Sequence, residues 1–368
     1  MARRERFQTR RWITLLVLLI MILASYGGQA RQAAAQDDPV ASLLVTLESA
    51  TITTVDGEST EYPLDEVAVV GVGDEIAVSA NGEAILTFFE GVETRLAAGT
   101  TVKVTEFETT DTASQIGLSV VVGQTMSSVE QMSDAESRFE ISTPVATISV
   151  RGTFFLVFVR PTELTQVVTL DGIVAVNSEG LEAEVPPGYG VRVDADKTLG
   201  GVNPWGLAML SITAPAGDVD DLPVLMQNQA NGQLFHYRAS DVLAAPLGRF
   251  DVIVQSPGPY KTEVVFGEDY MAEDVIELTA DLSTVMIELV DEAGNMIADA
   301  GNLIVHLKQG DLEGETVVAP GDPIIVGPGE WEVEIALESD PENILSVNLT
   351  MGEGEALTAQ VDVSEFEA

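Results

Sequence analysis

The chain has 368 residues, 46% of them hydrophobic, no cysteine, and 17 basic against 59 acidic residues, a formal net charge of −42. That charge repels phosphate backbones and anionic lipid head groups, which excludes nucleic acid as a partner; the apolar fraction excludes a disordered acidic tail. Without cysteine there is no disulfide, thiolate metal site or lipid-anchored cysteine.

In chain order, the first eleven residues carry five arginines and one acid, Glu5. Residues 12–26 form an apolar run broken only by Thr14 and Ser25. At ~1.5 Å per helical residue this run spans about 22 Å, short of a ~30 Å hydrocarbon core. Small residues follow at Ala33, Ala34 and Ala35. A basic head, a short apolar core and a small-residue exit read as a secretory signal peptide over 1–35. An uncleaved amino-terminal anchor is the alternative, and the membrane enters as a partner only through it. Both readings place the rest of the chain outside the cytoplasm: periplasmic, extracellular or cell-surface. From residue 36 onward there are 11 basic and 58 acidic residues, a charge of −47. Such a surface serves solubility, with basic partners as the sharper alternative.

Nearly everything after Val40 reads as short strands: alternating runs rich in Val, Ile, Thr and Phe, cut by Gly, Asp, Asn and Pro. Asp171-Gly172, between the runs 166–170 and 173–176, predicts a tight hairpin, because glycine accepts the positive φ of a primed turn. Residues 128–137 are polar and read as a loop. A composition change at 196–204 marks a boundary, giving a first domain over 40–198 and a linker over 199–208. Beyond it, Leu243, Gly248, Phe250, Val252 and Val254 recur 81 residues later as Ile324, Gly329, Trp331, Val333 and Ile335. The recurrence fits two sandwich repeats, 209–282 and 283–368, with a chance likeness between β segments as the alternative.

Three blocks within 72–193 carry a family resemblance. The first opens on Gly73-Asp74, continues through the Ala-x-Leu-x-Phe strand from Ala84 to Phe88, and closes on Glu90-Gly91. The second contains Thr143-Pro144, Ala146 and Val150-Arg151-Gly152-Thr153; the third runs over 169–176 and leads into 187–193. Together they resemble the FecR domain, a non-enzymatic extracytoplasmic module. The resemblance implies that Gly73, Asp74, Gly91, Thr143, Pro144, Ala146, Val150, Arg151, Gly152 and Thr153 are structural or partner-binding positions. Well-known members relay the state of an outer-membrane transporter to a sigma factor through a cytoplasmic helical domain. Only 11 residues precede Trp12 here, so the expectation is the exported domain working as a sensing or interaction unit. More weakly, 290–300 and 326–333 resemble carboxypeptidase-regulatory-like and transthyretin-like β-sandwiches. The expected fold class is therefore all-β: a FecR-like domain of stacked short strands, then one or two Ig-like or transthyretin-like sandwiches.

The residues themselves read compatibly. Phe139, Ile141 and Thr143 share one strand face, Pro144 suits a turn or edge, and Ala146, Ile148 and Val150 resume a period of two. Gly152 supplies a bend or a close backbone approach. Arg151 is the one charge in a stretch of fourteen residues, 141–154. It reads as an internal staple whose guanidinium is hydrogen-bonded, with ligand contact as the alternative.

Chemistry has few parts to work with. His236 and His306 are the only histidines and lack companions at ligand spacing; there is no G-x-S-x-G elbow. Catalytic residues, metal and cofactors are therefore not expected. Asp218, Asp220 and Asp221, and separately Asp37-Asp38, are dense acidic clusters outside any EF-hand pattern, so they read as solvated loops, with calcium the alternative. The leading expectation is an unidentified protein or envelope component as partner; the second is a carbohydrate or envelope-polymer binding module.

Overall fold

The computed structural model describes residues 40–367, apart from 90, 111–112, 133, 135, 220–221, 268–269, 271–273 and 298–300. The expected signal segment 1–35 and Asp37-Asp38 lie outside the described residues, as do Asp220 and Asp221. Among the described residues there are thirty-one strands and a single short 3-10 helix, Val363–Glu367.

The amino-terminal module is built from two facing sheets between which the chain repeatedly crosses. Sheet I runs in the order Val67–Val70, Ala41–Leu47, Glu83–Phe89, Val92–Leu96, the second half of Ser114–Val129, Thr153–Val159, Thr165–Asp171, Tyr189–Val193 and Asn203–Pro204. Sheet II runs Ser59–Pro63, Ser49–Thr53, Glu75–Val78, Thr101–Thr109, the first half of Ser114–Val129, Arg138–Ser142, Thr147–Val150, Val174–Ser178 and Leu181–Val185. Alternation makes each strand half-buried: Glu83–Phe89 turns Ala84, Leu86 and Phe88 inward and the residues between them outward. The inward residues of both sheets, from Leu43 and Ile76 to Phe139 and Phe155, form one continuous core.

Ser114–Val129 is the strand that joins the sheets. Its sixteen residues pair with sheet II as far as Val122, opposite Thr101, and with sheet I from Gly123, opposite Val159. Gly123 sits at this switch with φ +109°, and a Cβ there would lie 2.4 Å from the Thr100 Cα. Only glycine fits this backbone and this approach.

Two expectations are corrected here. Asp171-Gly172 does not close a hairpin: Thr165–Asp171 pairs within sheet I and Val174–Ser178 within sheet II. The positive φ of Gly172, 80°, serves a corner between sheets instead. The stretch 199–208, read as a linker, is built into the fold. Leu199 bridges Val193, Asn203–Pro204 pairs with Tyr189 and Gly190, and Trp205 is buried.

The carboxyl half forms two sandwiches of the same plan. In the first, a sheet ordered Val242–Ala245, Gly206–Thr213, Val275–Asp281 faces one ordered Leu234–Arg238, Pro223–Asn228, Gly248–Val254, Tyr260–Phe266. In the second, Pro323–Val326, Ser283–Val290, Ala356–Asp362 faces Leu312–Val318, Leu303–Gln309, Gly329–Leu337, Asp340–Met351. First and last strands pair in parallel in both. The 81-residue recurrence falls on equivalent strands, with Phe250 and Trp331 fully buried at the centres of their cores. The sandwiches are stitched together: Gly258 N–H donates to Ile325 O at 3.0 Å, and Gly327 N–H to Gly258 O at 2.7 Å. The Ile325 side chain enters the core of the first sandwich.

Candidate functional site

Strand Thr153–Val159 organises the site. Thr-Phe-Phe-Leu-Val-Phe-Val is an apolar run without alternation, and five consecutive residues, Phe155 to Val159, are buried. A strand of this kind needs apolar cover on both faces. Phe155, Val157 and Val159 join the core between the sheets; Leu156 and Phe158 face outward with Met126 and Val168 into the core of the first sandwich. There Phe158 stacks on Trp205, ring centroids 5.8 Å apart, and meets Phe235 edge-on at 5.0 Å. The outer face of sheet I is thus covered at its central strands by the chain's own sandwich, while Val67 and Val69 at its far edge stay exposed.

Polar groups frame this apolar contact. Gln124 Nε2 donates to His236 O at 2.5 Å, and His236 N–H donates to Gln124 Oε1 at 2.8 Å, so one side chain completes the edge of Leu234–Arg238. Gln233 Nε2 donates to Gln166 Oε1 at 3.0 Å. On the other side lies a four-membered charge cluster. Glu83 Oε1 accepts from Arg238 Nε at 2.9 Å, and Arg95 Nε is 3.6 Å from Glu83 Oε2. Arg95 also pairs with Asp241, whose Oδ2 accepts from Arg238 N–H at 2.7 Å. Two charges of each sign alternate, one pair from each module, which is the arrangement a partly desolvated cluster needs. Burial holds the His236 imidazole below its ordinary pKa, favouring the neutral ring at the junction.

The family-motif positions lie elsewhere, at the corners of the amino-terminal module. Gly73 takes φ +95°, and the Asp74 carboxylate accepts from Gly71 N–H at 2.8 Å and Val55 N–H at 3.3 Å. Gly91, also at positive φ, accepts from Glu130 N–H through its carbonyl. Thr143 closes the Pro144-containing turn. Its Oγ1 accepts from Ala146 N–H at 3.0 Å and from the Thr165 hydroxyl at 2.9 Å, its N–H donates to Ala146 O, and Val150 points into the core. Gly152 has φ +130°, and a Cβ there would lie 2.6 Å from the Gln131 Cα; Thr153 is buried beside it. These positions form three separate corners rather than one cleft.

Arg151 departs from expectation in position: it is solvent-exposed in the bend between Thr147–Val150 and Thr153–Val159 and not internal, although it does take part in an interaction there. The bend turns its side chain out of the apolar stretch that surrounds it in sequence. Of the stretch 128–137, Ser128 and Val129 extend the long strand, and the described residues 130–132, 134 and 136–137 are outside strands and helices. The junction residues Glu83, Arg95, Gln124, Phe158, Arg238 and Asp241 carried no local motif; the signal available for them was the unalternating run at 153–159. No group of His, Asp and Glu suited to a metal ion occurs among the described residues.

Residues 74–175 match the family described as FecR protein. Among solved structures, a candidate anti-sigma factor from Parabacteroides distasonis is 24% identical over 35% of this chain and 57% of its own, with a TM-score of 0.29. The Bacillus anthracis TIE protein is 11% identical, covering 96% of this chain and 78% of its own at a TM-score of 0.18. A Streptococcal ancillary pilin is 11% identical, over 59% and 77%, at a TM-score of 0.20. The chain thus spans 57% of the length of the first of these. Curated proteins give no match. Asp74 of the Gly-Asp opening, the Thr-Pro turn and the Val-Arg-Gly-Thr bend fall inside the matched segment, and the chain carries a FecR domain over residues 74–175.

Proposed function

We propose that the protein is an exported, non-enzymatic sensing or interaction module of the bacterial cell envelope, whose FecR domain meets its partner through the open face of sheet II. One observation carries this reading: the first sandwich covers the central strands of sheet I, at Met126, Leu156, Phe158 and Val168, whereas the outward residues of sheet II stay exposed. Its outward residues include Glu75, Lys103, Glu182 and Glu184, all exposed. This polar, mainly acidic face fits a basic protein surface rather than a lipid or a nucleic acid. The FecR match supports a signalling role, and the basic-apolar-small order of residues 1–35 supports export. The sandwiches serve as a rigid support that orients the free face.

Crosslinking the purified chain in envelope extract, with the crosslinked residues mapped, tests this. The expected result is a specific protein joined at Lys103 and its surroundings, with recovery reduced by Glu75→Lys and by the pair Glu182→Lys, Glu184→Lys. Retention on purified peptidoglycan or glycan, without a protein crosslink, would replace this reading by a polymer-binding one. The mass of the mature amino terminus in cell fractions tests export separately.

A further inference from the structure

A cavity of about 290 Å³ opens where the end of Thr153–Val159 meets the 229–233 turn of the first sandwich. Gln124, Phe158, Arg160, Asn231, Gln233 and His236 are among the residues lining it. No Asp or Glu lines it, in a chain where acids outnumber bases 59 to 17. Its volume sits at the low end of the ~300–1,000 Å³ typical of ligand pockets, which limits it to a small molecule.

The arginine in it is unusual. Arg160 begins the corner after the strand, its N–H donating to Leu164 O at 2.9 Å and its carbonyl accepting from Glu163 N–H at 2.8 Å. Its Nε is enclosed, yet has no hydrogen-bond partner, and no ion pair of the described residues reaches its guanidinium. Every influence on its pKa is unfavourable to the cation: burial first, then the charge of Arg192. Arg192 lies across the sheet, opposite Gln166, and engages Asp194 with a 2.6 Å hydrogen bond from its Nε. A partly desolvated guanidinium without a counter-charge carries a cost, and its planar donor fork is matched by an oxyanion. Asn231 adds a neutral donor: its Oδ1 accepts from Gln233 N–H at 2.9 Å, which leaves its amide NH₂ for another acceptor.

We propose that this cleft binds a small molecule bearing a carboxylate or phosphate group, with Arg160 as its principal contact. The site spans two modules, so the ligand would clamp the junction. This inference goes beyond the partner-binding reading and does not depend on it.

The test titrates inorganic phosphate and, separately, acetate into the full chain at constant ionic strength, followed by calorimetry and thermal melting. At least one anion is expected to bind at millimolar concentration and raise the melting temperature saturably; which of the two does so separates phosphate from carboxylate ligands. Arg160→Met is expected to weaken binding about tenfold or more, the loss of one charge-assisted contact. Without anion it should melt at nearly the same temperature or higher, because a half-buried cation with an unpaired Nε has been removed. Asn231→Asp changes an exposed residue and puts a negative charge at the cleft without disturbing the core, so it should also weaken binding. Absence of binding by either anion, or wild-type affinity in both variants, overturns the proposal.

Discussion

Replacing Glu83 by Gln removes the carboxylate shared by arginines from two modules. Glu83 accepts from Arg238 of the sandwich and from the Thr46 hydroxyl at 2.8 Å, and it lies beside Arg95. The four side chains of the cluster keep only 12–20% of their surface exposed. At an effective dielectric near 20, two charges about 3 Å apart attract by about 5 kcal/mol before desolvation is subtracted. Breaking a fully buried pair costs ~3–5 kcal/mol, and residual solvent contact screens part of that. About 2–3 kcal/mol of destabilisation is therefore expected for Glu83→Gln. A double-mutant cycle with Arg238→Met should give a coupling energy of about 1–3 kcal/mol. Urea unfolding supplies the numbers, followed by far-ultraviolet circular dichroism and, in a Trp331→Phe background, by the fluorescence of Trp205, which is buried at the junction. The singles should also separate the dichroism and fluorescence transitions, since the modules would no longer unfold as one unit. If the two substitutions add within ~0.3–0.5 kcal/mol and the transitions stay coincident, the cluster does not couple the modules and the reasoning fails.

Phe158→Ala should cost ~3–5 kcal/mol, as a buried ring stacked on Trp205 and edge-on to Phe235 is removed; the same urea series measures it. Gly123→Ala should lose about 2 kcal/mol or more, since alanine must adopt φ +109° and press on Thr100; wild-type stability would contradict the switch geometry. Arg151→Met should change stability by no more than ~0.5 kcal/mol, because the side chain is exposed, and a larger loss would restore an internal role. His236→Gln tests pH dependence. The folded-state pKa of His236 lies below its ordinary value of 6.5, so its contribution is present above 6.5 and is lost as pH falls through the folded-state value. The difference in unfolding free energy between wild type and His236→Gln should therefore shrink as pH drops below about 6.5; a difference flat between pH 7.5 and 5 refutes this.

Local periodicity was readable wherever a strand has one wet face. Thr101-Val102-Lys103-Val104 alternates in sequence and in burial alike, and the recurrence of Phe250 as Trp331 marked equivalent strands of two sandwiches. Turn chemistry was readable only in part. Asp171-Gly172 announces a positive φ, but the dipeptide has no information about which ladder each flanking strand joins. Arg151 shows the converse limit: a lone charge among apolar neighbours looks internal until a bend rotates it outward. The junction was the least readable feature, because Glu83 and Arg238 are separated by 155 positions and either side alone reads as an ordinary surface residue. The run Thr153–Val159 held the missing clue, since a strand without a polar face requires two covers and the opposite sheet provides only one.

That second cover constrains where a partner can act. Phe158, Leu156 and Met126 are committed to the first sandwich, so a partner approaching sheet I would first have to displace an apolar contact reinforced by the Glu83 cluster and the paired Gln124–His236 bonds. Sheet II asks for no such displacement. The two faces are nonetheless mechanically continuous, because the strand Ser114–Val129 pairs in sheet II through Ser119, opposite Lys103, and in sheet I through Gln124, opposite Phe158. A shift of that strand caused at the open face must move Gln124 against His236, or be resisted by it. The glycine at 123 is the single position between them with a positive φ. A FecR domain arranged in this way offers its polar face to the outside and rests its apolar face on its own chain, with the strand between them as the physical link.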